Sequence, residues 1–270
     1  MPGVQWNAVE LRARDLERIR EALQDAGTIL RRFPRHQVAV RYKGHDSPVT
    51  EADLAVDAAL RDALPRAGEG WLSEETPDDP ARLGRHRVWV VDPLDGTREF
   101  LAGVPQWNVS IGLVEGGVAV AGGVYNPTTE ELFLGAPGVG ATLNGRRIST
   151  SDRTCLDGAV VLVSRWALRR RREAGGAAPP YTMRPVGPLA YSLALIAAGH
   201  ADAMWGRSAK AEWDVAAGAA LIAAAGGHIT QWDGAPLAFN RWPPRIPGLV
   251  ATAAGLRAPL RRLIAAQSPR

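Results

Sequence analysis

Apolar residues in the first part of the chain recur at helical spacing. Val9, Leu11, Leu16, Ile19, Leu23, Ile29 and Leu30 stand among charged neighbours and predict one long amphipathic helix over residues 6–33. A short strand is predicted over residues 38–42. Thr50 stands where an N-cap belongs, with Glu51 and Asp53 in the first turn of a helix carrying Leu54, Val56, Ala59 and Leu60. The period then changes. Residues 87–91 form an apolar run that predicts a strand stopping at Asp92-Pro93. Residues 109–114, 118–125 and 131–134 predict a meander broken by Glu115-Gly-Gly and Asn126-Pro127.

A second region begins near residue 150. Strands are predicted at 160–163, 201–205 and 249–253, and helices at 189–198, 214–225 and 259–266, with Gly226-Gly227 ending the second helix. Helices and strands alternate in both halves, which predicts a layered α/β protein. The expected organisation is an α+β region over residues 1–150 and an α/β region over residues 151–270. Residues 173–180 (Glu-Ala-Gly-Gly-Ala-Ala-Pro-Pro) predict a loop.

Composition narrows the function classes. The 270 residues are 46% hydrophobic and 22% charged, a soluble globular balance. No apolar run approaches the ~20 residues that span a bilayer, and the start lacks a basic-then-apolar leader pattern. The expectations are a cytoplasmic protein and no membrane partner. Cys155 is the only cysteine, so an internal disulfide is excluded. The net charge of +4 comes almost wholly from arginine, since Lys43 and Lys210 are the only lysines. Such a balance steers anionic ligands. The run Arg169-Arg170-Arg171-Arg172 has no interleaved aromatic residues and no accompanying nucleic-acid motif. It therefore predicts a solvated helix face, with no nucleic-acid polymer as partner.

The chemistry concentrates in short strings. Asp92-Pro93-Leu94-Asp95-Gly96-Thr97 follows an apolar strand, the place where open α/β sheets present ligands. Two carboxylates three residues apart on a stiff turn suit hard cations, and Gly96 lets backbone N–H groups approach an anion. Ser73-Glu74-Glu75 adds an acidic pair after another apolar run. Ser47 to Asp53 (Ser-Pro-Val-Thr-Glu-Ala-Asp) delivers Thr50 and Asp53 to a helix start; capping accounts for Thr50 better than for Asp53. Trp213-Asp214-Val215-Ala216-Ala217-Gly218 places Asp214 at a helix start, where capping is the competing explanation. His36, His45, His86, His200 and His228 have no zinc-like spacing.

Taken in order, these strings resemble the inositol monophosphatase superfamily over nearly the whole chain. The resemblance implies a five-layer αβαβα sandwich, Mg²⁺ dependence with two to three ions, inhibition by Li⁺, and hydrolysis of a small-molecule phosphate monoester. Position by position it makes Glu74, Asp92, Asp95, Asp214 and the carbonyl of Leu94 metal ligands. Asp53 and Thr97 become the pair that positions the attacking water, and Glu75 a further catalytic candidate. Gly96 and Thr97 N–H groups would hold the phosphate, with Asp95 and Asp214 also facing substrate. Haloacid-dehalogenase phosphatases share an Asp-Gly-Thr string, but they need a nucleophilic Asp two residues before the second Asp, and none stands there.

The ester itself is read from finer detail. Thr97-Arg98-Glu99-Phe100, Ser164-Arg165 and Glu212-Trp213-Asp214 resemble the branch that hydrolyses 3′-phosphoadenosine 5′-phosphate, the 3′(2′),5′-bisphosphate nucleotidases. Gly187-Pro-Leu-Ala-Tyr-Ser192 departs from that branch, and Ala194-Leu-Ile-Ala-Ala-Gly199 looks more like the inositol phosphatases. In those enzymes a Glu that binds ring hydroxyls commonly lies seven residues before the Asp of the Trp-Asp pair; here that position is Arg207. An Arg cannot accept from hydroxyls but can hold a phosphate, so Arg207 is the candidate for a second anionic group. The bisphosphate nucleotidase reading is thus the first expectation, and inositol 1-phosphate and histidinol phosphate stay open. A catalytically inactive binding or regulatory protein on the same fold is the rival from another class. The sequence is compatible with a homodimer and does not fix the oligomeric state.

Overall fold

The computed structural model describes residues 7–33, 38–43, 47–174 and 178–266. Residue 6 of the predicted first helix, residues 44–46 ahead of the Ser47 string and residues 175–177 of the predicted loop lie outside the described residues. Asn7 caps α1 (Ala8–Leu30) reciprocally: its side chain accepts from the Glu10 N–H, and the Glu10 carboxylate accepts from the Asn7 N–H. β1 (Val40–Lys43) and β2 (Ser47–Thr50) pair antiparallel and lead into α2 (Glu51–Ala63), which Thr50 caps as its position predicts. Ile19, Leu23 and Leu30 of α1 and Ala52, Val56 and Leu60 of α2 form the apolar stripes that face inward.

These helices cover one face of a seven-stranded sheet. β3 (Gly70–Ser73) runs parallel to β4 (Arg87–Asp95). After the short α3 (Thr97–Leu101), β5 (Asn108–Glu115), β6 (Val118–Asn126), β7 (Glu131–Ala136), β8 (Gly140–Leu143) and β9 (Arg146–Ile148) extend it antiparallel in chain order. Side chains alternate across β4. Trp89 and Val91 join the core under α1 and α2, whereas Val88 and Val90 join the core on the opposite face. Both faces are buried, which is why this segment is continuously apolar.

The C-terminal half carries β10 (Val160–Val163), α4 (Arg165–Ala174), β11 (Thr182–Pro185), α5 (Leu189–Ala197), β12 (Ala203–Gly206), β13 (Lys210–Ala211) and α6 (Ala216–Ala224). β14 (His228–Gln231), β15 (Arg245–Ile246), β16 (Leu249–Thr252) and α7 (Arg257–Ala266) complete it. A second sheet has the order β11-β10-β12-β16-β14. α5 and α6 are apolar all round because they lie between the two sheets. α7 sets Leu260 and Ile264 against Ala203 and Val250 on the far face, and α4 lies along β11. The layers therefore run helix, sheet, helix, sheet, helix. Among the described residues no helix is long and apolar enough to cross a membrane.

α6 approaches the first sheet closely because the sheet carries glycine beneath it. A Cβ on Gly122 would stand 2.4 Å from the Ala217 carbonyl oxygen, and one on Gly112 would stand 2.7 Å from the Ala216 Cβ. Gly122→Ala is expected to cost about 1–3 kcal/mol of stability, since the methyl meets backbone. It should lower the urea midpoint at unchanged slope. A wild-type midpoint would show that α6 moves aside freely.

Candidate active site

The strand predicted to stop at Asp92-Pro93 instead runs on to Asp95. Asp92 pairs with Ser110 and Asp95 with Asn108, so one extra residue is accommodated in a β-bulge between them. Pro93 has no N–H to offer the ladder, and a bulge is where a strand tolerates that loss. The bulge leaves the two aspartates close enough for the Asp95 charge to act on Asp92, although Asp95 is not one of the three carboxylates that converge most closely. Asp92 Oδ1 accepts from the Leu94 N–H at 3.0 Å; Asp95 Oδ2 accepts from the Ala190 N–H at 2.9 Å and from Asn108 Nδ2 at 3.3 Å. Asn108 and the start of α5 thus orient Asp95.

Two further carboxylates meet them. Glu74 leaves the end of β3, its N–H bonded to the Val91 carbonyl at 3.3 Å. Asp214 precedes α6, which begins at Ala216 rather than at Asp214; the turn is closed on the Glu212 carbonyl, and no side chain caps the helix. Capping therefore does not account for Asp214. Glu74, Asp92 and Asp214 each present an oxygen within 4.8 Å of the others'. Glu75 is not one of these three; its N–H donates to Ser73 Oγ at 3.3 Å.

Charge is crowded here. Burial and then the charges of Glu74, Asp95 and Asp214 push Asp92 well above the usual carboxylate range, and burial and then Asp214 do the same for Asp95. Asp214 is pushed up to about 6 by burial, against the Ala211 N–H and the charges of Lys210 and Arg245. Converging, mutually repelling carboxylate oxygens are a donor set that fits a hard divalent cation.

Asp53 and Thr97, 44 residues apart in sequence, touch: Thr97 Oγ1 lies 3.1 Å from Asp53 Oδ1 and 3.2 Å from the Leu94 carbonyl. The two oxygens of Asp53 divide their work. Oδ2 accepts from the Thr50 N–H and hydroxyl at the start of α2, and Oδ1 accepts from Thr97. Burial pushes the Asp53 carboxyl up, and these hydrogen bonds pull it back. Gly96 joins Asp95 to Thr97 at φ 96°, where a Cβ would also strike Pro188 at 2.7 Å.

On either side of Pro188 in the chain, Gly187 and Leu189 line a cavity of about 480 Å³, together with Trp166, Ser192, Arg207 and Lys210 among others. Arg207 is exposed and lies over the Trp232 ring, 4.8 Å from its centroid. Arg165 bridges Glu99 and Gln106 at the neighbouring α3 segment. The arginines 169–172 lie exposed on α4.

Three residues support the site, and two of them, Asn108 and Asp57, lie outside the motif strings. Asn108 orients Asp95. Glu212 is fully buried beside Trp213 and accepts from the Asn240 and Arg241 N–H groups at 2.7 and 2.9 Å. Asp57, one turn beyond Asp53 on α2, accepts from the hydroxyls of Ser73 and Thr76. Only the i, i+4 spacing of Asp53 and Asp57 signalled the last of these.

A model of the inositol monophosphatase family matches residues 13–268. A protein named inositol-1-monophosphatase from Rhizobium meliloti (strain 1021) is 36% identical over 207 residues, covering 72% of this chain and 76% of its own. The structure of the extragenic suppressor protein suhB from Bartonella henselae superposes with a TM-score of 0.81 at 29% identity, over 94% of this chain and 100% of that one. CysQ from Bacteroides thetaiotaomicron, described as a bacterial member of the same family, superposes with a TM-score of 0.73 at 25% identity, over 89% of this chain and 97% of that one.

Proposed function

Because this chain belongs to the inositol monophosphatase family, whose members are metal-dependent phosphatases, we propose that it hydrolyses a small phosphate monoester carrying a second anionic group. 3′-Phosphoadenosine 5′-phosphate is the substrate we assign. Glu74, Asp92, Asp95, Asp214 and the Leu94 carbonyl would hold two to three Mg²⁺ ions. Residues 1–150 then supply most ligands, and residues 151–270 supply Asp214 and the substrate contacts. Mg²⁺ bound there would neutralise phosphate charge and lower the pKa of water.

The chain's own residues do the rest. Thr97 gives its one hydroxyl proton to Asp53 Oδ1, so its lone pairs face outward to accept from the attacking water. As the water loses a proton to Thr97, the Thr97 proton passes to Asp53, whose buried carboxyl has a raised affinity for it. Gly96 and Thr97 N–H groups bind the phosphate. Glu75 borders the ligand Glu74 and serves as a further acid–base candidate.

The observation that supports the substrate reading is the pair Arg207 and Lys210 on one cavity wall. Lys210 is close enough to lower the Asp214 carboxyl by its charge. These two side chains are cationic donors, which bind a phosphate by charge and hydrogen bonds together and a neutral polyol by hydrogen bonds alone. Inositol 1-phosphate is the second reading, favoured by the name of the 36% identical Rhizobium meliloti protein.

Arg207→Ala separates the two. It is expected to lower kcat/KM on 3′-phosphoadenosine 5′-phosphate by about 10–100-fold, the worth of a charged hydrogen bond, and to leave inositol 1-phosphate unchanged. Equal losses on both esters, or a wild type that prefers inositol 1-phosphate, would sink the nucleotide reading.

A further inference from the structure

We propose that Asp57 is a positioning residue that fixes the Glu74 loop for metal binding. The inference rests on the reading of Glu74 as a ligand.

Glu74 stands in the segment Ser73-Glu74-Glu75-Thr76, and the hydroxyls that bracket it converge on one buried carboxylate. Ser73 Oγ donates to Asp57 Oδ1, and Thr76 Oγ1 donates to Asp57 Oδ2 at 2.5 Å. What else the hydroxyls do leaves their protons free for Asp57. Ser73 Oγ accepts from the Glu75 N–H at 3.3 Å, and Thr76 Oγ1 accepts from Trp71 Nε1 at 3.3 Å. Each hydroxyl therefore spends its proton on Asp57, which must be a two-oxygen acceptor. Asp57 is 8% exposed on α2, four residues after Asp53.

The consequence is a division of labour along one helix. Asp53 reaches the Thr97 hydroxyl, and Asp57, one turn on, clamps the loop that presents Glu74. On its other side the Glu74 N–H donates to the Val91 carbonyl of β4. The β3–β4 ladder holds the chain as far as Ser73, and the fork carries that hold across Glu74 to Thr76, so losing it loosens the approach of Glu74 to Asp92 and Asp214. Groups that orient a metal ligand typically contribute roughly 10–100-fold to metal affinity. Asp57→Asn replaces one of the two accepting oxygens with an NH₂ donor, so one hydroxyl loses its acceptor and must turn to accept instead, which weakens that arm of the fork.

The test measures Mn²⁺ binding to the purified protein by electron paramagnetic resonance, alongside the Mg²⁺ dependence of phosphate release. Asp57→Asn is expected to weaken Mn²⁺ binding about 10–100-fold. It should raise the half-saturating Mg²⁺ concentration by a similar factor, with kcat at saturating Mg²⁺ nearly that of wild type. Thr76→Val removes one arm of the fork and should give a smaller shift in the same direction; it decides the matter if Asp57→Asn does not fold. Wild-type Mn²⁺ affinity in the folded variants overturns the proposal, as does a loss of kcat at saturating metal with unchanged affinity. A wild-type protein that binds no Mn²⁺ overturns the ligand reading of Glu74 itself, so the two failures are distinct.

Discussion

Asp95→Asn is expected to lower kcat/KM by about three orders of magnitude, the equivalent of ~4 kcal/mol of lost charge stabilisation. The substitution is nearly isosteric. An Asn oxygen can still accept from the Ala190 N–H, the bond that docks α5 on the bulge of β4. What disappears is one buried negative charge next to the Glu74, Asp92 and Asp214 carboxylates, and with it affinity for a divalent cation. The metal-free variant should not unfold earlier than wild type, because Asp95 is pushed up by burial and by Asp214 and its charge is a burden to the empty fold. Steady-state kinetics at several Mg²⁺ concentrations and a urea titration check both halves. Near-normal turnover in a folded Asp95→Asn protein would remove Asp95 from the metal site.

Thr97→Ala should lower kcat by about 10²–10⁴-fold with little change in KM. Its hydroxyl is the group that touches both Asp53 and the Leu94 carbonyl, and the Gly96 turn sets it between them. Alanine keeps the backbone of α3 and its N–H groups, so phosphate binding survives. The route from water to Asp53 does not. A transition-state role shows in kcat, whereas a group that merely holds substrate shows in KM. The expected signature is therefore a low kcat that excess substrate does not rescue. An unchanged kcat with a raised KM would make Thr97 a binding residue only.

What the sequence made legible follows the physics of each signal. The Thr50 cap and the apolar strands are local: each rests on residues a few positions apart. The carboxylate strings are also local, and their convergence could be expected only through the family resemblance, since nothing in the spacing of Asp53, Glu74, Asp92 and Asp214 brings them together. Pro93 misled because a proline in a central strand ordinarily ends it; the bulge that absorbs it depends on the register with β5. β8 and β9 were missed for a different reason. Asn144-Gly145 carries a hairpin signal, and both residues take positive φ between β8 and β9. The flanking residues alternate too weakly to announce strands on their own. The partners of Asp57 and Glu212 lie far along the chain, so the i, i+4 spacing of Asp57 from Asp53 and the place of Glu212 in the Trp213-Asp214 string did not disclose what they hold.

The most direct test is phosphate release from 3′-phosphoadenosine 5′-phosphate and from inositol 1-phosphate by the purified protein, in Mg²⁺ and after its removal with EDTA. Release that requires Mg²⁺, is restored when Mg²⁺ is returned, and is faster on the bisphosphate is the predicted result. Release that persists without any divalent cation, or none from either ester in Mg²⁺, would contradict a cation-dependent phosphatase centred on Glu74, Asp92, Asp95 and Asp214.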